Sequence, residues 1–158
     1  MRTDTFSYNK NKVIQALRYH FVSRKEIKFI MIAVNVFAII SAILFFTKVI
    51  SPLAFLVSSL LWFGLMASFW FFLPRAIYKR TQMFKDRFSA SVTPAGLTLE
   101  NDRGSKHWDW NEFESMMESP HFFHLYFNSR AFFVLPKDAF VGDMEHDARK
   151  MMQENIGK

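Results

Sequence analysis

The sequence contains no cysteine. Disulfides, thiolate metal sites and cysteine nucleophiles are excluded; the redox compartment stays open, because a cysteine-free chain tolerates either. Charge is missing from two long stretches: residues 29–47 and residues 53–73 contain no Asp, Glu, Lys, Arg or His. An ionisable residue inside such a run marks transport or a proton relay. This pair of segments therefore holds no ion path of its own.

What fills those stretches is apolar. The runs are nineteen and twenty-one residues long and lie five residues apart. At about 1.5 Å rise per residue, each makes a helix of roughly 28–32 Å, the thickness of a bilayer's hydrocarbon core. A soluble domain cut from 158 residues is too small to hide both. The expectation is a transmembrane hairpin over residues 27–74, with spans at about 29–47 and 53–73. The mean hydropathy of +0.04 averages this segment with an ordinary soluble one. A cleaved signal peptide fits the first run badly, since the run starts late, is long for an h-region and leads straight into a second span.

The net charge of +6 is unevenly placed. Residues 1–74 carry eight Lys/Arg against two Asp/Glu, residues 75–87 five against one, and residues 88–158 seven against eleven. A basic chain suggests nucleic acid in general. Here the cations flank apolar runs, so anionic headgroups and topology are the simpler account, and no nucleic-acid role is expected. Arg18, Arg24, Lys25 and Lys28 precede the first run, and Arg75, Lys79, Arg80, Lys85 and Arg87 follow the second. The intervening turn has Lys48 alone. Because Lys and Arg prefer the cytoplasmic side, both termini are expected in the cytoplasm, in a multi-pass membrane protein. Pro52 suits the first turn of the second helix, where its missing N–H costs nothing.

Within the hairpin, Asn35 is the one strongly polar residue. It lies at about the depth of Gly64 and Ser68, whose spacing lets helices approach closely. Asn35 then bonds across to this strip, or to its own helix backbone, or to a second protomer. Ahead of the hairpin, residues 1–26 read as a short strand at residues 6–8 and a basic amphipathic helix capped by Asn9 or Asn11. Val13, Ile14, Leu17 and Phe21 form its apolar face. That face suits a membrane interface or the distal domain equally.

From residue 86 the pattern alternates. Phe88, Ala90 and Val92 mark a half-buried strand, Thr93-Pro-Ala-Gly96 a turn, and residues 97–101 the next strand. Asn101-Asp-Arg-Gly104 is another turn signal. Strands follow at residues 105–110, 121–127 and 131–135, with Asn128-Ser-Arg130 as a hairpin loop. Residues 113–118 read as strand or short helix. A helix opens at Gly142 or Asp143 and runs to about Asn155, with Met144, Ala148, Met151 and Met152 as its apolar face. The fold class is thus α+β: a two-helix hairpin plus a small antiparallel β domain over residues 86–156 with a terminal helix. That strand order suits a pleckstrin-homology-like meander or barrel.

Several of these residues form a recognisable set: Gly96-Leu97, Trp110, Phe113, the Glu118-Ser119 break, Phe122-Phe123 with Tyr126, and Phe133-Val-Leu-Pro-Lys137 followed by Ala139-Phe140. In these the chain resembles the YcxB-like family of bacterial membrane proteins. The resemblance extends to the hairpin and the Phe6-Ser-Tyr8 opening. It implies a bacterial two-span protein with a cytoplasmic β domain, and it supplies no activity.

Chemistry-bearing constellations are sparse. His121-Phe-Phe-His124 looks like a metal pair, but on a strand i and i+3 face opposite ways, so no metal or cofactor is expected. His107 and Asp109 share a strand face and suit acid–base work, yet the sequence offers them no adjacent nucleophile. Glu112, Glu114 and Glu118 read as surface carboxylates. Asp143 to Asp147 reads as an acidic helix start, favoured by the dipole. Pleckstrin-type headgroup sites place cations in the first hairpin turn, and Thr93-Pro-Ala-Gly96 has none. The second turn has Arg103 and Lys106, and the third has Arg130. Together with Lys137 these are the expected exposed contacts for a partner or a headgroup. The reading is a non-enzymatic membrane protein whose hairpin anchors a β domain for protein or membrane-surface binding. The alternative is an accessory subunit of a membrane transporter or enzyme, docking through Asn35, Gly64 and Ser68.

Overall fold

The computed structural model describes residues 1–157. Four continuous helices and two antiparallel sheets make it α+β among the described residues. The chain divides into two units: Met1–Ala16 with the residues from Thr81 onward, and Leu17–Arg80.

The first unit is built on strands. β1 (Phe6–Ser7), β2 (Arg87–Val92), β3 (Gly96–Asn101) and β4 (Gly104–Asp109) form one sheet in that order. β1 pairs with β2 through Phe6 opposite Phe88, although the whole helical segment separates them in sequence. The residues before β1 extend the pairing: Thr3 N donates to Ala90 O at 2.8 Å and Val92 N to Met1 O at 2.8 Å. The β2–β3 turn needs Gly96 for space rather than for backbone torsion. A Cβ there would lie 2.1 Å from the Trp108 carbonyl oxygen on the neighbouring strand. The β3–β4 turn is held by Asn101, whose Oδ1 accepts from Arg103 N at 2.9 Å, and by Gly104 at φ +146°.

β5 (Ser115–Glu118), β6 (Phe122–Tyr126) and β7 (Phe132–Pro136) form the second sheet. Residues 113–118 resolve into a strand from Ser115 onward, and the helical turn lies just before them, at Trp110–Glu112, where Asp109 and Glu112 close a capping box. β6 is buried on both faces from Phe122 to Leu125, as the middle strand should be. Tyr8 ties the N-terminal segment to this sheet. Its buried hydroxyl donates to the Val134 carbonyl at 2.9 Å, and its ring stacks on Phe122. Burial drives the Tyr8 hydroxyl's pKa upward, so it remains a donor. Phe113 stacks on Phe127 at 4.8 Å, and Trp110 Nε1 donates to Thr93 O at 3.0 Å. The unit closes with α5 (Met144–Asn155), which buries Ala148 and Met152. Asn9 starts α1 (Lys10–Ser23), its Oδ1 accepting from Asn11 N at 3.0 Å and Lys12 N at 3.3 Å.

The second unit is helical. α2 (Lys25–Phe46) turns tightly at Lys48, which adopts φ 61°. Ser51 caps the return, accepting from Ala54 N, with Pro52 at the first helical position. α3 (Pro52–Ala67) runs through one π turn (Ser68–Phe72) into α4 (Leu73–Arg80), so the second helix is continuous over 29 residues. The first spans 22 residues, and both are long and apolar enough to cross a membrane. Ser41 and Ser58 share a 2.6 Å hydrogen bond between the helices, and Phe45 stacks on Phe55 at 4.5 Å.

Candidate functional site: a basic cleft on the first sheet

The first sheet carries a cleft of about 340 Å³ floored by Phe88, Leu99 and Trp108 and rimmed by Asn101, Arg103 and Lys106. Its local origin is the β3–β4 hairpin. Leu99 sits opposite Lys106, and Leu97 opposite Trp108, in register. Alternation puts these four side chains on one face. The Lys106 ammonium lies 5.2 Å from the Trp108 ring centroid, a cation–π contact that keeps its position while leaving its donors open. Arg103 Nη2 meets Asp86 Oδ1 at 3.1 Å, yet the Arg103 side chain is 77% exposed. Arg103 and Lys106 are thus brought together at one cleft. Arg130 is exposed in the separate β6–β7 loop, where Asn128 Oδ1 accepts from its backbone N–H at 2.8 Å.

Lys137, expected among the exposed cations, is committed elsewhere. Only 15% of its side chain is exposed, and its Nζ donates to Glu118 Oε2 at 2.8 Å. Arg149 Nε donates to the other Glu118 oxygen at 2.7 Å and its Nη2 to Glu145 at 2.6 Å. Both cations lie over the Phe123 ring, at 5.1 and 5.5 Å. Burial alone would raise the Glu118 carboxyl. Hydrogen bonds from Lys137 and Arg149, helped by their charges, outweigh it and hold the group below the usual carboxylate range. Glu118 is therefore a half-buried junction of β5, the turn after β7 and α5, not a surface carboxylate. The Glu145/Arg149 spacing of four on a helix is the one part of this cluster legible in sequence.

On the opposite face of the first sheet, His107 Nε2 lies 3.1 Å from Asp109 Oδ1. Thr98, paired with His107 in register, places its hydroxyl 2.8 Å from His107 Nδ1. The sequence offered no neighbouring nucleophile because Thr98 comes from the adjacent strand. All three side chains are held on an open sheet surface rather than in a cleft that excludes water, which is the setting of a surface network. His124 is fully buried on β6, with Nε2 2.9 Å from Ser119 Oγ, whereas His121 lies in the preceding loop.

In the helical unit, Asn35 bonds with Trp62 rather than with the Gly64–Ser68 strip. Its Nδ2 donates to Met31 O at 2.7 Å and its Oδ1 accepts from Trp62 Nε1 at 3.4 Å. Ser68 is satisfied within its own helix, donating to Gly64 O at 2.7 Å. The long indole reaches across where the small residues do not.

Neither the curated proteins nor the solved structures contain a match to the chain. The model of the family described as YcxB-like protein matches residues 92–152, from the end of β2 through most of α5 and outside the two long apolar helices. The stretch 92–152 is thus a YcxB-like domain, of the same family that the sequence resembles.

Proposed function

We propose that this chain is a two-span bacterial inner-membrane protein with both termini cytoplasmic. Its hairpin anchors a pleckstrin-homology-like β domain, and the cleft at Arg103 and Lys106 binds an anionic surface on a protein or membrane. One observation carries the membrane part. α2 buries only Ser41, and α3 buries nothing, while Phe29, Phe46 and Leu53 are each about 70% exposed or more. Core helices of soluble proteins turn such residues inward, and an apolar surface of this extent needs lipid. Seven strands in sheets of four and three with a closing helix support the pleckstrin-like reading. The cleft's cations over an aromatic floor favour binding over catalysis.

Site-specific photocrosslinking in membranes tests the binding reading. A probe at Ser105 is expected to capture a partner or phospholipid, and Arg103→Ala with Lys106→Ala to abolish that capture. Capture that survives the double substitution sinks the role of the cleft. The accessory-subunit reading draws on a second feature, a groove of about 510 Å³ beside the hairpin lined by Ala38, Ala42, Ser58 and Ser59. Crosslinks from Ala42 to another spanning protein would favour it.

A further inference from the structure

A second cavity lies wholly within the helical unit, and its chemistry differs from that of the β-domain cleft. It encloses about 280 Å³ and is lined by Phe21, Met31, Trp62, Met66 and Trp70, with Arg18 as its charged residue. The position of Arg18 is fixed by a defect in the second helix. A regular helix would send the N–H of residue 74 to the carbonyl of residue 70. Residue 74 is proline and has no N–H. The preceding π turn accommodates it, with Leu73 N–H reaching back to Ser68 O. Arg18 Nε donates to the released Trp70 carbonyl at 2.9 Å. The guanidinium also lies over the Trp70 ring at 5.0 Å and the Phe71 ring at 5.7 Å.

This fixes Arg18 by one donor of five and leaves its Nη fork for a bidentate anion. The surroundings are strongly cationic: residues 17–80 carry eight Lys/Arg against Glu26 alone. Arg24, Lys25 and Lys28 lie at the start of α2 and Arg75 on α4. The cavity is too narrow for a helix of about 10 Å diameter, and its flexible Met and flat Trp walls suit a hydrocarbon chain. We infer that this cavity is a binding site for an anionic phospholipid, one acyl chain between Trp62 and Trp70 and the phosphate on the Arg18 fork. The inference rests on the membrane reading above and adds to it a stoichiometric, headgroup-selective site.

Native mass spectrometry tests it on the full chain, released from mild detergent containing equal phosphatidylglycerol and diacylglycerol, which has the same acyl chains and no phosphate. One retained lipid is expected, with phosphatidylglycerol favoured roughly tenfold, as a charge-assisted pair of hydrogen bonds would give. Arg18→Gln should bring the two lipids to parity. Arg18→Lys, a point charge without the planar fork, should keep only part of the preference. Val22→Trp, which fills the cavity and leaves Arg18 in place, should remove the adduct altogether; it decides the matter if Arg18→Gln misfolds by circular dichroism. Equal retention by the wild type overturns the site, as does a preference untouched by Arg18→Gln or an adduct that survives Val22→Trp. Co-flotation with phosphatidylcholine vesicles separates the two levels. A chain that floats but shows no preference refutes the lipid site alone, and a chain that does not float refutes the membrane reading as well.

Discussion

Replacing Glu118 with Gln tests how the β domain is held together. Glu118 receives Lys137 at 2.8 Å and Arg149 at 2.7 Å, and all three side chains are less than a third exposed. Each charge-assisted hydrogen bond contributes about 1.5–3 kcal/mol when well buried; solvent screening at this partial exposure reduces that. Gln keeps one acceptor oxygen, and Arg149 keeps Glu145. Lys137 alone loses its counter-charge. The net loss comes to about 2 kcal/mol, or a fall in Tm of roughly 8–16 °C for a domain of this size. Near-ultraviolet circular dichroism of the full chain in mild detergent reads it through Trp108 and Trp110. The sign of the pH dependence follows from the lowered folded pKa. Glu118 stabilises the fold fully above the unfolded value of 4.5, and the contribution is lost as pH falls through the folded value. Glu118→Gln should therefore lose stability at neutral pH and lose part of the acid slope with it. A variant within about 0.5 kcal/mol of the wild type, with an unchanged acid slope, would refute the reasoning.

Other perturbations separate the remaining contributions. Gly96→Ala forces a Cβ against the Trp108 carbonyl, a backbone atom that cannot swing aside; overpacking of this kind costs about 1–3 kcal/mol or more, and a Tm unchanged within error would contradict it. Tyr8→Phe strands the Val134 carbonyl at a cost of about 1–3 kcal/mol, checked by urea unfolding with the m-value unchanged. Burial, with the Arg24 charge, lowers the His20 imidazole from 6.5 to about 4. Neutral His20 therefore favours the fold above pH 6.5, and the gain is lost as pH falls toward 4. The Tm of the wild type should drop between pH 7 and 5 more than that of His20→Leu, and parallel curves would remove His20 from the account.

The parts of the fold legible in sequence are those set by local pattern. The two uncharged runs became α2 and the α3–α4 helix, because apolar length and the absence of charge leave no other element. Alternation gave β2 and β3, and the turn residues Pro94, Gly96, Asn101 and Gly104 marked their ends. The pairing of β1 with β2 was not legible: β1 has two residues, and the partner lies beyond the whole hairpin. The same reason hid the candidate sites. Thr98 meets His107 across a strand register, and Glu118 meets Lys137 and Arg149 from three elements. Glu118 and Lys137 belong to separate stretches of the family likeness, and the fold joins them as an ion pair. Pro74 shows the same limit: a proline inside a helix frees the carbonyl four residues back, but only the fold brings Arg18 to it.

In the proposed topology the hairpin crosses a membrane and holds the β domain on the cytoplasmic side. A chain without cysteine makes single-cysteine labelling free of background. Val49→Cys, in the α2–α3 turn, should react with a membrane-impermeant maleimide added to intact cells, whereas Arg130→Cys and Asp4→Cys should react only after permeabilisation. Labelling of Arg130→Cys in intact cells, or protection of Val49→Cys until the membrane is opened, would contradict the account.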